Sequence, residues 1–182
     1  MTTGYVYEPL YLEHDWPGHP ENAGRLEAIM QRLESERMLE RLAHIPAHPA
    51  TEEQMTRVHS PAYLERVKRV SERGGGHLDP DTYVASASWE AARLAAGGLI
   101  GLVEAVLDGR VENGFALIRP PGHHALSDRG MGFCLLNNVA IAARAALEKG
   151  VRRALIVDFD VHHGNGTQEA FEEEPSVCYF ST

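Results

Sequence analysis

The sequence predicts an α/β fold on a mainly parallel sheet, and three observations carry that prediction. Short apolar runs of strand length, at 4–7, 115–118, 154–158 and 177–180, alternate with longer segments of helical periodicity. Strands separated by helices favour parallel pairing, with helices covering both faces of the sheet. Two of the runs, ending at Ile118 and Asp158, pass directly into loops dense in histidine, aspartate, asparagine and glycine. The carboxyl ends of parallel strands share one rim, and open α/β sheets keep their chemistry there.

Taken in order, residues 4–7 read as an opening strand, and a polar loop with His14, Asp15, His19, Pro20 and Glu21 follows. Between 23 and 42, Leu26, Ile29, Met30, Leu33 and Leu42 recur at helical spacing with charges between them. Thr51-Glu-Glu-Gln54 has the form of a capping box, in which hydroxyl and amide side chains satisfy the first free backbone N–H groups. Ser60-Pro61 offers an N-cap with proline at the first helical position, and Gly74-Gly-Gly76 should stop that helix. Residues 88–107 are apolar nearly all round, which predicts an interior helix. Gly97-Gly98 within it admits a close neighbour, although each glycine costs about 1 kcal/mol against alanine. After the strand at 115–118 and Pro120-Pro121 come a helix at 137–149 stopped by Gly150, a strand at 154–158, a short helix at 167–174 and a strand at 177–180. No internal repeat or low-complexity linker appears. The alternation stops on a strand at Ser181-Thr182, so the sheet reads as cut short.

Length and charge exclude several classes. A chain of 182 residues fits one domain with a real core. Its formal charge of −9, with no offsetting basic cluster, argues against nucleic acid as a partner. No apolar run is long enough to span a bilayer, so no membrane role is expected, and the first residues lack the pattern of a signal peptide. Cys134 and Cys178 sit in apolar settings and read as reduced, buried thiols of a cytoplasmic protein.

The chemistry concentrates in Asp158-Phe-Asp-Val-His-His-Gly-Asn-Gly166. In an extended backbone, Asp158, Asp160 and His162 would point the same way, setting carboxylate and imidazole ligands in a row. A solvated polar strand end is the bland alternative, but two acids and two histidines beside glycines suit a metal better. Arg119-Pro-Pro-Gly-His-His-Ala125 falls past the neighbouring strand, on the same rim. Alone, a tandem histidine in a loop is most simply solvent-exposed; beside three aligned ligands, convergence is the better reading. A histidine acting as general base needs an acceptor behind its other nitrogen, and Asp158 and Asn165 are available. Gly130-Met-Gly-Phe-Cys134 supplies a glycine-lined aromatic that would wall a narrow slot.

Arg119 to Ala125, Gly132-Phe-Cys-Leu-Leu-Asn-Asn-Val-Ala-Ile-Ala142 and Val157 to Gln168 closely resemble the zinc-dependent histone deacetylase family, which includes acetoin-utilisation proteins and acetylpolyamine amidohydrolases. Gly18-His-Pro-Glu21 with Arg25-Leu26, and Val58-His-Ser-Pro-Ala-Tyr-Leu64, resemble its N-terminal segments. The resemblance implies an arginase-like three-layer α/β fold, of which 1–182 would be the N-terminal portion of a single domain. Asn165, where nuclear class I enzymes usually carry aspartate, is similar to the class II and bacterial branch. By the same resemblance, Asp160 and His162 would be ligands of one zinc ion, and His124 the general base and acid with Asn165 behind it. His123 would be an electrostatic partner held by Asp158. Phe133 and Gly132 would line an acyl-lysine channel, with Asp81, or failing that Asp79, at its rim and Arg25 in the inner cavity. A structural potassium ion would draw on Asp158, Asp160, His162, Ser181 and Thr182. The implied substrates are acetylated lysine in proteins, acetylpolyamines or small acylamides.

The family's third zinc ligand and its catalytic tyrosine come from regions that this sequence does not contain. The expectation is therefore a chain inactive alone, and one that self-associates or binds a complementary chain. Two rival readings remain: a non-catalytic half-domain, and a manganese ureohydrolase of the arginase type. The second would need an acid at 164, which is glycine.

Overall fold

A computed structural model describes residues 2–182. Strand β1 (Thr3–Val6) runs between two parallel neighbours, the short β2 (Ala43–His44) and β5 (Asn113–Ala116), with Tyr5 in register with Phe115. A second parallel pair joins β6 (Ala154–Asp158) to β7 (Val177–Ser181), with Asp158 opposite Ser181. Helix α4 (Ser88–Leu107) packs against β1, β5 and α5 (Asn138–Glu148), so it lies in the interior as its composition predicts. Gly97 and Gly98 are where the 46–50 segment crosses this helix: a Cβ at Gly97 would collide with the backbone of His48 and Ala50.

Boundaries differ from the sequence reading where local backbone chemistry intervenes. Helix α1 (Ala23–Ser35) ends seven residues before 42. Arg37 adopts φ +55°, and the N–H groups of Arg37 and Met38 return to the carbonyls of Glu34 and Leu33, closing a Schellman cap without glycine. A 3₁₀ turn (Leu39–Arg41) carries the rest of the apolar pattern. Helix α2 (Glu52–Thr56) has the full capping box, and α3 (Pro61–Glu72) is capped by Ser60. The glycines beyond α3 do more than stop it. Gly75 and Gly76 belong to β3 (Gly75–Asp79), which pairs antiparallel with β4 (Thr82–Ala85), a hairpin absent from the sequence reading. Strand β5 begins two residues earlier than 115, and α6 (Asn165–Phe171) two residues earlier than 167, ending at Phe171 rather than 174.

The β6–β7 pair is a separate sheet from β2-β1-β5, and it is not covered on both faces. Along β6 and β7 the residues of one face are half-buried against α5 and α6, while Leu155, Val157, Cys178 and Phe180 are exposed on the other. Cys178 is thus an exposed thiol, not the buried one expected; Cys134 is fully buried, which pushes its thiol up to about 12. Among the described residues, no helix is long and apolar enough to cross a membrane.

Candidate active site

The site rests on a buried ion pair. Arg119, at the end of the β5 segment, donates from Nε to Glu21 Oε1 at 2.6 Å and from Nη2 to Oε2 at 2.8 Å, and its Nη1 reaches the carbonyl of Tyr11 at 2.9 Å. Tyr83 donates to the same carboxylate, and His14 Nε2 lies 3.5 Å from Oε2. Burial alone would push the Glu21 carboxyl up, but the His14 and Arg119 contacts hold it down at about 2. The ion pair anchors the 14–21 loop and the 119–125 loop to each other.

A second buried post is His59. Its Nε2 accepts the N–H of Asn137, so Nδ1 carries the proton and donates to the carbonyl of Leu126. Burial pulls its pKa down to about 4. Asn137, capping α5, in turn reaches the carbonyl of Ala125 and Thr167 Oγ1. The tandem histidines are thereby fixed from below, and the Gly166 and Thr167 amides donate to the carbonyl of His123. A Cβ at Gly166 would strike the Ala125 carbonyl, so only glycine lets the two loops meet this closely.

The imidazoles of His123 and His124 lie 4.0 Å apart, centroid to centroid, with different partners. His123 Nδ1 faces Asp158 Oδ2 at 2.9 Å, and His124 Nδ1 faces Asn165 Oδ1 at 2.7 Å. Both partners accept, so both rings carry hydrogen on Nδ1 and leave Nε2 free. Asn165 directs its own N–H groups toward the Met131 sulfur, consistent with that orientation. Burial would raise the Asp158 carboxyl, yet hydrogen bonds from His123, Tyr179 and the Asp160 N–H keep it below the ordinary range.

The expected row of three ligands along a strand is corrected here. Extended pairing stops at Asp158, and residues 160–162 form a bend. The aspartates cause it: Asp158 Oδ1 accepts the N–H of Asp160, and Asp160 Oδ1 accepts the N–H of His162 at 2.8 Å, each side chain capturing the backbone two residues on. Asp158 therefore serves His123, while Asp160 and His162 open to the cleft and bond to each other at 3.0 Å. The His162 N–H, above all, holds the Asp160 carboxyl low. His162 is 73% exposed and its ring stands 6.1 Å from that of His124. Among the described residues, no three His, Cys, Asp or Glu side chains gather as a metal-binding group.

One cleft of about 520 Å³ collects His123, His124, Asp160 and His162 with Phe133, Gly132, Asp81 and Arg25. Gly132 has φ +55° and a Cβ there would enter the His124 ring; Phe133 follows at φ +70° and forms a wall. His19 stands edge-on to Phe133 at 4.6 Å, accepts the Glu21 N–H and donates from Nε2 to the Asp81 carbonyl. Arg25 is mostly exposed, 3.6 Å from Glu21. Asp79 turns back to cap the Asp81 N–H, leaving Asp81 on the rim. Ser181 and Thr182 lie beyond the cleft: the Thr182 N–H bonds to the Asp158 carbonyl, and Ser181 Oγ is buried beside the Tyr179 hydroxyl.

Sequence reasoning named the cleft's residues but missed what holds them: Glu21 with Arg119, His59, His19 and Tyr179. The Arg119 motif, Gly18-His-Pro-Glu21 and the His-Ser-Pro segment carried a signal through resemblance, but none showed which residues pair, because a buried polar network has no sequence period.

Fold and cleft together define an α/β domain with a histidine–carboxylate site where the carboxyl ends of two separate parallel sheets, β2-β1-β5 and β6-β7, face one cleft. Residues 19–182 match the histone deacetylase domain, and the chain belongs to that family. It is 43% identical to a probable deacetylase of Methanothermobacter thermautotrophicus over 97% of this chain and 52% of that protein. It is 42% identical to a histone deacetylase-like amidohydrolase of Pseudomonas aeruginosa over 98% of this chain and 46% of that one. The crystal structure of an HDA15 HD domain superposes with a TM-score of 0.96 at 42% identity, covering 99% of this chain and 53% of that one. The chain thus spans about half the length of these relatives.

Proposed function

We propose that this chain is the N-terminal portion of a single deacetylase domain that hydrolyses N-acyl amides of the lysine or polyamine type. The observation that carries the reading is the meeting of the 119–125 and 158–166 loops in one cleft, with both imidazoles held in the Nδ1–H form. Asp160 and His162 would hold a zinc ion; carboxylate and imidazole suit that metal, but they supply only two of the three protein ligands a catalytic zinc takes. When bound, zinc supplies Lewis-acid polarisation of a carbonyl and acidifies water. His124 accepts a proton at Nε2 and returns it to the leaving amine, while Asn165 keeps the opposite nitrogen protonated. His123, hydrogen-bonded to the ionised Asp158, sets a second imidazole beside it. Phe133, with His19 braced against it, shapes a slot for an alkyl chain, and Asp81 offers an acceptor at the rim. A potassium ion structuring the 158–162 bend would draw on Asp158, Asp160, His162, Ser181 and Thr182; Ser181, opposite Asp158 across the two strands and with its Oγ buried, suits that role. Two free cysteines are consistent with a reducing, cytoplasmic setting.

For the 182-residue chain by itself, the two-donor site favours a non-catalytic state. The exposed Leu155, Val157, Phe159, Val161 and Phe180 favour association with a complementary segment or a second copy. The test combines both statements. With zinc, the isolated chain should not hydrolyse acetyl-lysine or acetylpolyamine substrates; co-expressed with the downstream half of the archaeal relative, it should, and His124→Ala should remove that activity. Robust turnover by the isolated chain would refute inactivity, and a zinc-loaded but inert assembly would refute the deacetylase reading.

A further inference from the structure

We infer that Tyr179 is a positioning residue for the His123–Asp158 pair, acting through its hydroxyl; the inference rests on the reading above for its catalytic meaning. Tyr179 lies on β7, on the face that Asp158 occupies on β6, one strand away. Its hydroxyl sits 2.9 Å from Asp158 Oδ2, the same oxygen that faces His123 Nδ1 at 2.9 Å. The Gly164 N–H reaches the hydroxyl oxygen at 3.1 Å. A backbone N–H can only donate, so the tyrosine oxygen accepts there and its own hydrogen points to the carboxylate. The direction of the whole chain is thereby fixed: Gly164 to Tyr179, Tyr179 to Asp158, with His123 donating to the same oxygen.

Position 164 shows how tightly this hub is built. A Cβ at Gly164 would meet the Tyr179 hydroxyl, Asp158 Oδ2 and His123 Nδ1 together, so the glycine is what lets the three atoms converge. His124 has no equivalent: its partner Asn165 is neutral, and the nearest group behind it is a methionine sulfur. Asp158 is the last residue of β6 to pair with β7, and the backbone leaves the extended path just beyond it. With its hydroxyl bound, Tyr179 holds one carboxylate oxygen toward the imidazole; without it, Asp158 is free to rotate onto the Asp160 amide that already bonds Oδ1.

The measurement is the tautomer of each imidazole, read by long-range ¹H–¹⁵N correlation on the 182-residue chain labelled with ¹⁵N-histidine, without metal, at pH 8. The His123 signals are identified by their loss in His123→Ala. In the parent chain His123 and His124 should both show the Nδ1–H pattern. Tyr179→Phe should lower the Nδ1–H to Nε2–H ratio of His123 about tenfold, the loss expected for one hydrogen bond to a charged group, and leave His124 and the buried His59 unchanged. A merely packed ring would shift neither ratio. An unchanged His123 ratio in a folded Tyr179→Phe chain overturns the inference. If that variant does not fold, 3-fluorotyrosine at 179 keeps the shape and strengthens the donor, with burial and the Asp158 carboxylate keeping the phenol protonated; a His123 Nδ1–H resonance that does not move then overturns it equally. The readout needs neither zinc nor turnover, so an inert assembled enzyme would refute the deacetylase reading and leave this result standing.

Discussion

Two pairs in one site, Glu21 with Arg119 and Asp160 with His162, differ in exposure and in bonding. Glu21 and Arg119 are 2% and 5% exposed, bonded through two parallel contacts, and surrounded by Tyr83, His14 and the Tyr11 carbonyl. Asp160 and His162 are 50% and 73% exposed and share a single side-chain contact. The first pair has lost its water and depends wholly on its partner; the second keeps its water and is free to exchange its partner for something else. The contrast separates a scaffold, which fixes two loops together, from a rim, which is open for coordination.

The strongest way to break this contrast is at Arg119. Arg119→Met should cost about 3–5 kcal/mol, because it strands the Glu21 carboxylate in a dry site. Urea denaturation measures it, and a loss below about 1 kcal/mol would show that the pair is not a scaffold. Adding Glu21→Gln to that variant should recover part of the loss. The pair also predicts an acid limb. The Glu21 carboxyl is depressed from 4.5 to about 2, so its contribution is complete above the unfolded value and is lost as pH falls through about 2.

His59 gives the next largest effect. Held neutral at about 4 against an ordinary 6.5, it stabilises the fold fully above pH 6.5, where neither state carries the proton. Between 6.5 and 4 the unfolded chain binds the proton first, so stability falls with pH, by about 3 kcal/mol in all. Glu169, the charged group acting on it, offsets little of the burial. His59→Gln should remove that slope from the denaturation midpoint measured across pH 4–7, at a cost of about 2 kcal/mol at neutral pH from the weakened bonds to Asn137 and Leu126. A slope that survives the substitution would assign it to other histidines.

Strands β6 and β7, helix α4 and the caps of α2 and α3 were legible because each is set by a local rule: apolar run length, all-round apolarity, a capping box, Ser-Pro. The β3–β4 hairpin was not, since Gly74-Gly-Gly76 carries the signal of a helix stop and the hairpin's first strand has weak β character. Arg37 shows the converse error, a left-handed cap at a residue that gives no glycine signal. The tandem histidines do face the acceptors Asp158 and Asn165, at 2.9 and 2.7 Å, although the strands that lead into the two loops belong to separate sheets and not to the one rim that was expected. The bend after Asp158 was not, since period-2 counting takes no account of aspartates that bind the backbone. The supporting layer depends on tertiary contacts nearly a hundred residues apart, such as Glu21 with Arg119, which no window can see.

The smallest effect on stability is expected at His162, and it is the most informative about the rim. Its ring is mostly in solvent and its one side-chain bond is to a half-exposed carboxylate, so His162→Ala should change the unfolding free energy by less than about 0.5 kcal/mol. The same change removes one of only two donors that Asp160 and His162 present together, and zinc bound by one carboxylate competes poorly with water. Titration against a chromophoric zinc chelator should therefore show no stoichiometric uptake by this variant in the assembled protein, with the parent retaining it. A large loss of stability would mean that His162 belongs to the scaffold after all, and full zinc retention would remove it from the ligands. Either result would dissolve the distinction between a buried pair that holds the loops and an open pair proposed to take an ion.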